Sequence, residues 1–287
     1  MKKVLFTVLA VVLAFSMVLT GCSGTKPAEN QAAQQSDEKD NAAANNQSED
    51  KSWEEIKQKG KFIVGLDDAF PPMGFKDEDN NIVGFDIDLA KEAAKRMGVE
   101  VEFKPVVWNT VILDLQNKNI DVIWNGLTIT EERKEKIAFT KPYMEDKQIL
   151  VVAKGSDIKG KADLAGKKVG LQDASSSEEA LAKDEATYKS IGEIKKYTSN
   201  DEVLMDLKAG RIDAAVVHEV VGRYYISKHA DDYVILEDHF GFEEVGVGVR
   251  KEDVSFLNEL QKTLDEMKAD GTSAEISKKW FGEDIVK

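Results

Sequence analysis

An arginine occupies an electrostatically unfavourable position in the stretch WNGLTITEERKEKIAFTKPY, residues 124–143. Thr130 is a good N-cap for a helix that begins at Glu131, and acidic residues suit the positive N-terminal end of a helix dipole. Arg133 follows in the first turn, where a cation is disfavoured. A bound anion would remove this penalty, and a guanidinium presents two donors that match a carboxylate. The pattern therefore indicates a carboxylate site, with a surface ion pair between Arg133 and a neighbouring glutamate as the alternative.

The sequence shows no motif for enzymatic chemistry or for metal binding. It contains no glycine-rich phosphate loop, no His-Glu-x-x-His pair and no serine in a nucleophile elbow. Its three histidines, His218, His229 and His239, lack the i, i+4 spacing of a helical metal site. We expect His229 and His239 at the surface, and we expect no catalytic residue, no metal and no cofactor.

The elements that must position Arg133 follow an α/β pattern, in which short β-type runs alternate with helical patterns. A helix is predicted over Phe85–Met97, where alanines recur at helical spacing and Gly98 follows. A second apolar stripe, residues 257–267, ends before Gly271. Both stripes are expected to face the core. The predicted strands are residues 62–66, 99–103, 121–124, 149–153, 168–171, 214–217, 233–236 and 246–249.

The N-terminus has the organisation of a lipoprotein signal peptide. A basic start, an apolar segment and the residues LTGC, which end at Cys22, predict a leader over residues 1–22. Cys22 is the single cysteine, so an internal disulfide and a cysteine metal cluster are excluded, and its expected role is to carry lipid. This predicts a protein anchored by lipid on the extracytoplasmic face of the cell membrane. A single N-terminal membrane helix is the alternative.

Composition and charge predict a disordered segment and limit the kinds of partner. Residues 23–51 contain almost no residue that can build a core and are predicted to form a disordered tether. The formal net charge of the 287 residues is −14, which repels phosphate backbones and argues against a nucleic-acid partner.

Four stretches resemble the polar amino-acid family (family 3) of periplasmic solute-binding proteins that feed ABC importers. GFDIDLAKEAAKRM is similar to the signature segment of that family, and NGLTITEERKEKIAFTKPY to its carboxylate-binding motif. GRIDAAVVHEVVGRYY is similar to the strand and helix of its second lobe, and DGTSAEISKKWFGED to its C-terminus. The resemblance covers residues 53–287 and implies a two-lobe, type II periplasmic-binding-protein fold of the α/β class.

The resemblance also implies how the chain divides and moves. Lobe 1 is expected at residues 52–144 plus 246–287, and lobe 2 at residues 150–240. Two hinge strands, near residues 144–150 and 241–246, are expected to let the lobes close on a ligand like a clamp. Gly241 and Gly246 can absorb the dihedral change of a hinge, although both are equally typical of ordinary turns.

Carried over from the family motif, a set of residues is implied to bind the ligand. The backbone of Gly126, the hydroxyl and N–H of Thr128 and the guanidinium of Arg133 would hold the α-carboxylate. Phe70 and Trp108 would sandwich the side chain, although both are also typical of a core. The Pro71-Pro72 turn favours exposure of Phe70 at a rim. The other implied contacts are the distal acceptor Asp67 and, from the second lobe, Gln172, Ser175 and Ser176.

One position departs from the family pattern. His218 stands where the family usually has an aspartate that pairs with the ligand α-ammonium. An imidazole is neutral or cationic at neutral pH and supplies no negative charge, so we count His218 among the binding residues with an altered role. Glu219 is adjacent, but neighbouring side chains of a strand point to opposite sides.

The predicted function is therefore an extracytoplasmic substrate-binding lipoprotein, a monomer that captures a small carboxylate-bearing solute, a polar amino acid, for an ABC permease. Two alternatives use the same fold. One is a cyclohexadienyl-type dehydratase with Glu219 as general acid, and the other is a sensory lipoprotein without a transporter.

Overall fold

The computed structural model describes residues 50–287; the predicted signal peptide, Cys22 and the tether up to residue 49 lie outside the described residues. The α-helices of the described part are α1 Ser52–Lys59, α2 Phe85–Met97, α3 Val111–Gln116, α4 Glu131–Lys136, α5 Ser176–Lys183, α6 Glu185–Ser190, α7 Asn200–Lys208, α8 Glu219–Lys228, α9 Val254–Ala269 and α10 Thr272–Phe281. Short 3-10 helices span Trp108–Thr110 and Lys161–Leu164. Within residues 50–287, none of the helices has the length and apolar character needed to cross a bilayer.

The strands form two large sheets and one small one. They are β1 Lys61–Leu66, β2 Ala69–Phe70, β3 Gly74–Lys76, β4 Ile82–Val83, β5 Glu100–Pro105, β6 Val122–Ile123, β7 Ala138–Phe139, β8 Met144–Ala153, β9 Lys168–Gln172, β10 Glu193–Tyr197, β11 Ala214–His218, β12 Tyr233–Val245 and β13 Gly248–Val249. The first sheet has the order β5-β1-β6-β13-β7 and the second β10-β9-β11-β8-β12, while β2, β3 and β4 form the third. We call the parts of the chain built around the first and second sheets the first and second lobes.

Four of the eight strand pairs in the two large sheets are parallel, as expected when helices connect them, and the other four are antiparallel. In the first lobe β1 runs parallel to β5 and β6, and in the second lobe β9 runs parallel to β10 and β11. The carboxyl ends of parallel strands meet at one edge of a sheet, where open α/β folds bind ligands. The α/β class predicted from the sequence is confirmed.

The predicted helix Phe85–Met97 is confirmed at both ends. Its apolar stripe, which includes Ala90 and Ala93, is fully buried, and α2 packs against α9. Gly98 ends the helix in the left-handed conformation at φ 71°, which a residue without a Cβ adopts at little cost. The second apolar stripe lies within α9, where Leu260, Leu264 and Met267 are buried.

Two long antiparallel strands connect the lobes. The chain passes from the first lobe to the second along β8 and returns along β12, and Met144 pairs with Val245 at the end next to the first lobe. The sequence predicted only the apolar parts of these strands, residues 149–153 and 233–236. Charged residues interrupt the apolar pattern in residues 144–147 and 242–245, where the two strands pair with each other. Strand β10, with the sequence EIKKY, was missed for the same reason.

Candidate functional site

A small buried cavity lies where the two lobes face each other. It is lined by eight residues that the sequence predicted to bind a ligand: Phe70, Trp108, Gly126, Arg133, Gln172, Ser175, Ser176 and His218. The remaining two, Asp67 and Thr128, form hydrogen bonds to members of this lining. Ends of strands and the starts of α4 and α5 position the set. The structure thus brings the ten residues together, and their contacts with a ligand stay predictions.

Arg133 is a buried cation at the start of α4. The hydroxyl of Thr130 accepts the N–H of Arg133 at 3.2 Å, which confirms Thr130 as the N-cap. Arg133 is 6% exposed, and its Nη1 donates to the main-chain oxygen of Thr128 at 2.9 Å. Its Cζ lies 5.9 Å from the centre of the Trp108 ring. Within residues 50–287, no salt bridge joins Arg133 to a carboxylate, so the surface ion pair considered as an alternative is not formed.

The burial of Arg133 without an ionic partner affects its pKa. Desolvation lowers the pKa of Arg133, although the more distant carboxylates of Glu179 and Glu243 act in the opposite direction. A guanidinium remains charged in proteins even so. The cavity therefore holds a fixed positive charge whose desolvation a bound carboxylate would offset.

Gly126 brings the main chain close to the cavity. Its φ is 61°, and a Cβ at this position would lie 2.9 Å from Cε1 of Phe70, so a larger residue does not fit. Its N–H donates to Oδ2 of Asp86 at 2.6 Å, and the hydroxyl of Tyr143 donates to the same carboxyl group. The N–H of Gly126 is thus already engaged, and only the rest of its backbone is left for a ligand. Burial raises the pKa of Asp86 to about 7, despite these hydrogen bonds.

Hydroxyl groups from both lobes meet at the cavity. Oγ of Ser176, at the start of α5, lies 2.9 Å from Oγ1 of Thr128 in the first lobe. Ser175 occupies the N-cap position of α5, as the serine run suggested, but its hydroxyl donates to the main-chain oxygen of Gln172 at 2.7 Å. These groups offer donors and acceptors from opposite sides of the cavity.

The predicted aromatic pair lines the first-lobe side. Phe70 is 4% exposed, so the expectation that the Pro71-Pro72 turn exposes it at a rim is wrong. The second lobe covers it, since His218 packs edge-on against its ring with 5.1 Å between the ring centres. Trp108 is also buried and faces Arg133. Both rings belong to the lobe cores on one side and to the cavity on the other.

Asp67 is a buried acid of the first lobe that bonds to the cavity lining. Its Oδ2 accepts a 2.7 Å hydrogen bond from Nε2 of Gln172, a residue of the second lobe. Oε1 of Gln172 accepts in turn from Asn200 at 3.0 Å. Burial raises the pKa of Asp67 to about 6, because the two hydrogen bonds it accepts compensate only partly for lost hydration. A donor or a cation placed here would stabilise the ionised form.

His218 ends strand β11 and contacts a buried acid that the sequence analysis missed. Its Nδ1 lies 2.9 Å from Oδ2 of Asp146 on β8, and its Nε2 lies 3.2 Å from Oγ of Ser176. Desolvation lowers the pKa of His218, but the hydrogen bond and the charge of Asp146 outweigh it, so that the pKa is raised overall. His218 and Asp146 therefore form a buried hydrogen-bonded pair.

Three polar residues of the long connecting strands form hydrogen bonds with the predicted site residues and were not predicted: Asp146, Gln148 and Glu243. Nε2 of Gln148 donates to Oε2 of Glu243 at 2.9 Å and to Oγ of Ser176 at 3.3 Å. Oγ1 of Thr128 also donates to Oε2 of Glu243, at 2.8 Å. The alternation of a strand offered a signal, because positions 146 and 148 share a face with buried position 150. That signal is visible only once a strand is assigned to residues 144–148.

Other polar residues singled out in the sequence lie away from the cavity. Glu219 forms a salt bridge with Lys147 at 3.2 Å and accepts a hydrogen bond from Arg223, so the general acid of the dehydratase alternative is not among the lining residues. His229 is exposed and His239 is half-buried. In the described part of the chain, no group of three or more acidic, histidine or cysteine side chains is arranged to hold a metal ion.

Comparison with known proteins decides the family. Residues 62–283 match the model of the bacterial extracellular solute-binding proteins, family 3. The chain belongs to that family. The L-cystine-binding protein TcyJ of Escherichia coli is 34% identical over 234 residues, 81% of this chain and 86% of that protein. The histidine-binding periplasmic protein of Salmonella typhimurium is 40% identical over 237 residues, 78% of this chain and 89% of that protein.

A solved structure from the same family is similar throughout the described fold. The substrate-binding protein of an ABC uptake transporter from Streptococcus pneumoniae, determined with bound histidine, is 35% identical. Its TM-score is 0.80, and the match covers 84% of this chain and 99% of that chain. This family member is therefore a two-lobe, extracytoplasmic binding protein, and the relatives named here are binding proteins rather than enzymes.

Proposed function

We propose that the protein captures a polar amino acid outside the cytoplasm and delivers it to the membrane permease of an ABC importer. Membership of the family supports this, and so do relatives named for binding cystine and histidine. The observation that carries the proposal is the buried Arg133, which faces a cavity between the lobes without an ionic partner in the described chain. A carboxylate is the ligand group that this position stabilises most.

The side chains along the cavity suggest how the rest of an amino acid is recognised. Beyond the carboxylate, Phe70 and Trp108 supply apolar surface to the ligand side chain. Asp67 and Gln172 then supply an acceptor and an amide for its distal end. We infer a side chain that ends in a donor or a cation, because an ionised buried carboxylate is stabilised by either.

Binding is proposed to close the two lobes on each other. The proposed lobes are residues 52–144 plus 246–287 and residues 150–240, with hinges near residues 144–150 and 241–246. Hydrogen bonds between the lobes support this, since Thr128 meets Ser176 and Asp67 meets Gln172 on either side of the cavity. A ligand that bonds to both sides would stabilise the closed arrangement.

We further propose that the mature protein is a monomer held at the cell membrane by lipid on Cys22. The pattern of residues 1–22 supports the anchor, and the polar segment that follows would let the lobes reach a permease. The tether and the anchor together would keep the binding lobes close to the membrane.

A ligand screen tests the function. The purified full-length chain is heated with each of the twenty standard L-amino acids and with L-cystine, and a shift in melting temperature is measured. A ligand at a hundred times its Kd adds about 2.7 kcal/mol to the free energy of unfolding, which is a clear shift. Calorimetry then gives the Kd of each hit. If none of these compounds shifts the melting temperature or gives binding heat, the proposal fails.

A further inference from the structure

Two carboxylates face each other across the strands that join the lobes. Asp146 on β8 and Glu243 on β12 are direct partners in the register of this antiparallel pair. Directly opposed residues project from the same face, and like charges in such positions destabilise a sheet unless cations separate them. Both side chains are largely buried, at 2% and 11% exposed. A positive charge at this face of the sheet would therefore stabilise the two carboxylates.

His218 forms a hydrogen bond with only one of the two acids. Its Nδ1 lies 2.9 Å from Oδ2 of Asp146, whereas Oε2 of Glu243 lies 4.0 Å from the same atom, too far for a hydrogen bond. This nitrogen is thus committed to Asp146 and not to Glu243.

Neutral groups provide the hydrogen bonds that Glu243 accepts. The hydroxyl of Thr128 donates at 2.8 Å and the amide of Gln148 at 2.9 Å, both to Oε2. No hydrogen bond to Oε1 is found in the described part of the chain. A largely buried carboxylate in such surroundings gains most from a cation that also donates hydrogen bonds.

We propose that Glu243 accepts the α-ammonium of the bound amino acid. The inference rests on the proposed function and adds a residue that determines specificity. Thr128 links the two charges, because its main-chain oxygen accepts from Arg133 and its hydroxyl donates to Glu243. In an α-amino acid the carboxylate and the ammonium are attached to one carbon, so a single zwitterion meets both.

The other acids near the cavity have different neighbours. Asp67 is hydrogen-bonded to Gln172, and Asp86 to the N–H of Gly126. Glu179 accepts a hydrogen bond from the hydroxyl of Thr130 at 3.2 Å and lies 3.8 Å from Nζ of Lys183. Asp146 is hydrogen-bonded to His218. Glu243 is the acid that bonds to Thr128 and that, within residues 50–287, has no cationic side chain at hydrogen-bond distance.

The test compares amino acids with analogues that lack only the ammonium. The pairs are L-arginine with 5-guanidinopentanoate, L-histidine with 3-(imidazol-4-yl)propanoate, and L-glutamine with 4-carbamoylbutanoate; the corresponding desamino acid serves for any other hit of the screen. Calorimetry is done on the full-length chain and on the variants Glu243→Gln and Glu244→Gln. Glu244 is the matched control, because it neighbours Glu243 on β12 but is exposed and lies 3.7 Å from Lys287.

A charge-assisted hydrogen bond contributes about 1.5 to 3 kcal/mol, so Glu243→Gln is expected to weaken amino-acid binding roughly ten- to a hundredfold. In the same variant, the affinity for the desamino analogue is expected to change less than about threefold by the same rule. Glu244→Gln is expected to leave both affinities unchanged. The retained analogue binding also shows that the variant is folded.

Three results would overturn the inference. One is an unchanged affinity of Glu243→Gln for the amino acid. Another is an equal loss for the amino acid and its analogue, which would mean that Glu243 only supports the structure of the site. In both cases the proposed function survives, because the unsubstituted protein still binds. The third is an unsubstituted protein that binds no amino acid, which removes the proposed function and this inference together.

Discussion

The guanidinium of Arg133 donates to the main-chain oxygen of Thr128 over 2.9 Å, and this neutral acceptor is the hydrogen-bond partner that the described chain provides for it. Arg250 is buried to a similar extent but is matched differently. Its Nη2 lies 3.1 Å from Oδ1 of Asp121, and its Nη1 donates to two further main-chain oxygens. The charge of Arg250 is thus neutralised by a carboxylate of the fold, whereas the charge of Arg133 is available to a ligand.

Replacing Arg133 with Met is therefore expected to weaken ligand binding without lowering the stability of the fold. Affinity for the amino acid found in the screen should fall by roughly ten- to a hundredfold or more, because a charge-assisted bond of about 1.5 to 3 kcal/mol is lost. The melting temperature without ligand should stay or rise, since a desolvated charge is removed. Arg250→Met is the contrasting control and should lower the free energy of unfolding by about 3 to 5 kcal/mol. Normal calorimetric affinity in Arg133→Met would refute the carboxylate site.

The position of Arg133 was accessible from sequence because it depends on local rules. An N-cap threonine and a misplaced cation three residues later are visible in a single stretch. The helix Phe85–Met97 and its Gly98 terminus follow from spacing in the same way. Asp146 and Glu243 were inaccessible, because they meet through a strand pairing between residues almost a hundred positions apart. Burial of Phe70 was mispredicted for a related reason, since the side chain that covers it comes from the other lobe.

Affinity for an amino acid with a cationic side chain is expected to rise with pH through the titration of Asp67. Burial raises the pKa of this carboxyl group to about 6, so at pH 5 it is mostly protonated without ligand and at pH 7 mostly ionised. Only the ionised form attracts a cation, which predicts about a tenfold gain in L-arginine affinity between these values. In Asp67→Asn, calorimetry should show that this gain in L-arginine affinity between pH 5 and pH 7 is lost. An identical pH profile in the variant would contradict the role given to Asp67.

Stability without ligand should change with pH in the opposite sense, through Asp86. Its pKa is about 7 in the fold against an ordinary value of 3.8, so the folded state binds the proton more tightly. Unfolding free energy is thus expected to fall as pH rises from 5 to 7.5, by on the order of 2 kcal/mol from this group. Urea titrations at the two pH values measure it. In Asp86→Asn, which keeps an acceptor for the N–H of Gly126, the decline should be smaller, and an equally steep decline would argue against Asp86.

Closure of the lobes is expected to make the molecule more compact when an amino acid binds. Hydrogen bonds across the cavity, such as Asp67 to Gln172, form only when the lobes approach. Small-angle scattering should give a smaller radius of gyration with saturating ligand than without it. The Arg133→Met variant at the same ligand concentration should show less compaction. An unchanged radius with a ligand that calorimetry shows to be bound would exclude the clamp.

Anchoring is expected to depend on a single residue. With Cys22 replaced by Ser, the site for lipid is lost, and the protein should move from the membrane fraction to the soluble fraction of the cells that express it. Fractionation followed by immunoblotting measures the distribution. A variant that stays with the membrane would favour the alternative of an N-terminal membrane helix.

The alternation of β12 offers a route to an optical sensor. Glu243 accepts a hydrogen bond from Thr128, while its neighbour Phe242 is 73% exposed on the other side of the strand. A dye attached at residue 242 would sit on the connection between the lobes without touching the cavity. Because Cys22 is the only cysteine, a chain with Cys22→Ser and Phe242→Cys carries one thiol, and maleimide labelling would address that residue alone. The connecting strand would then report occupancy as a change in fluorescence.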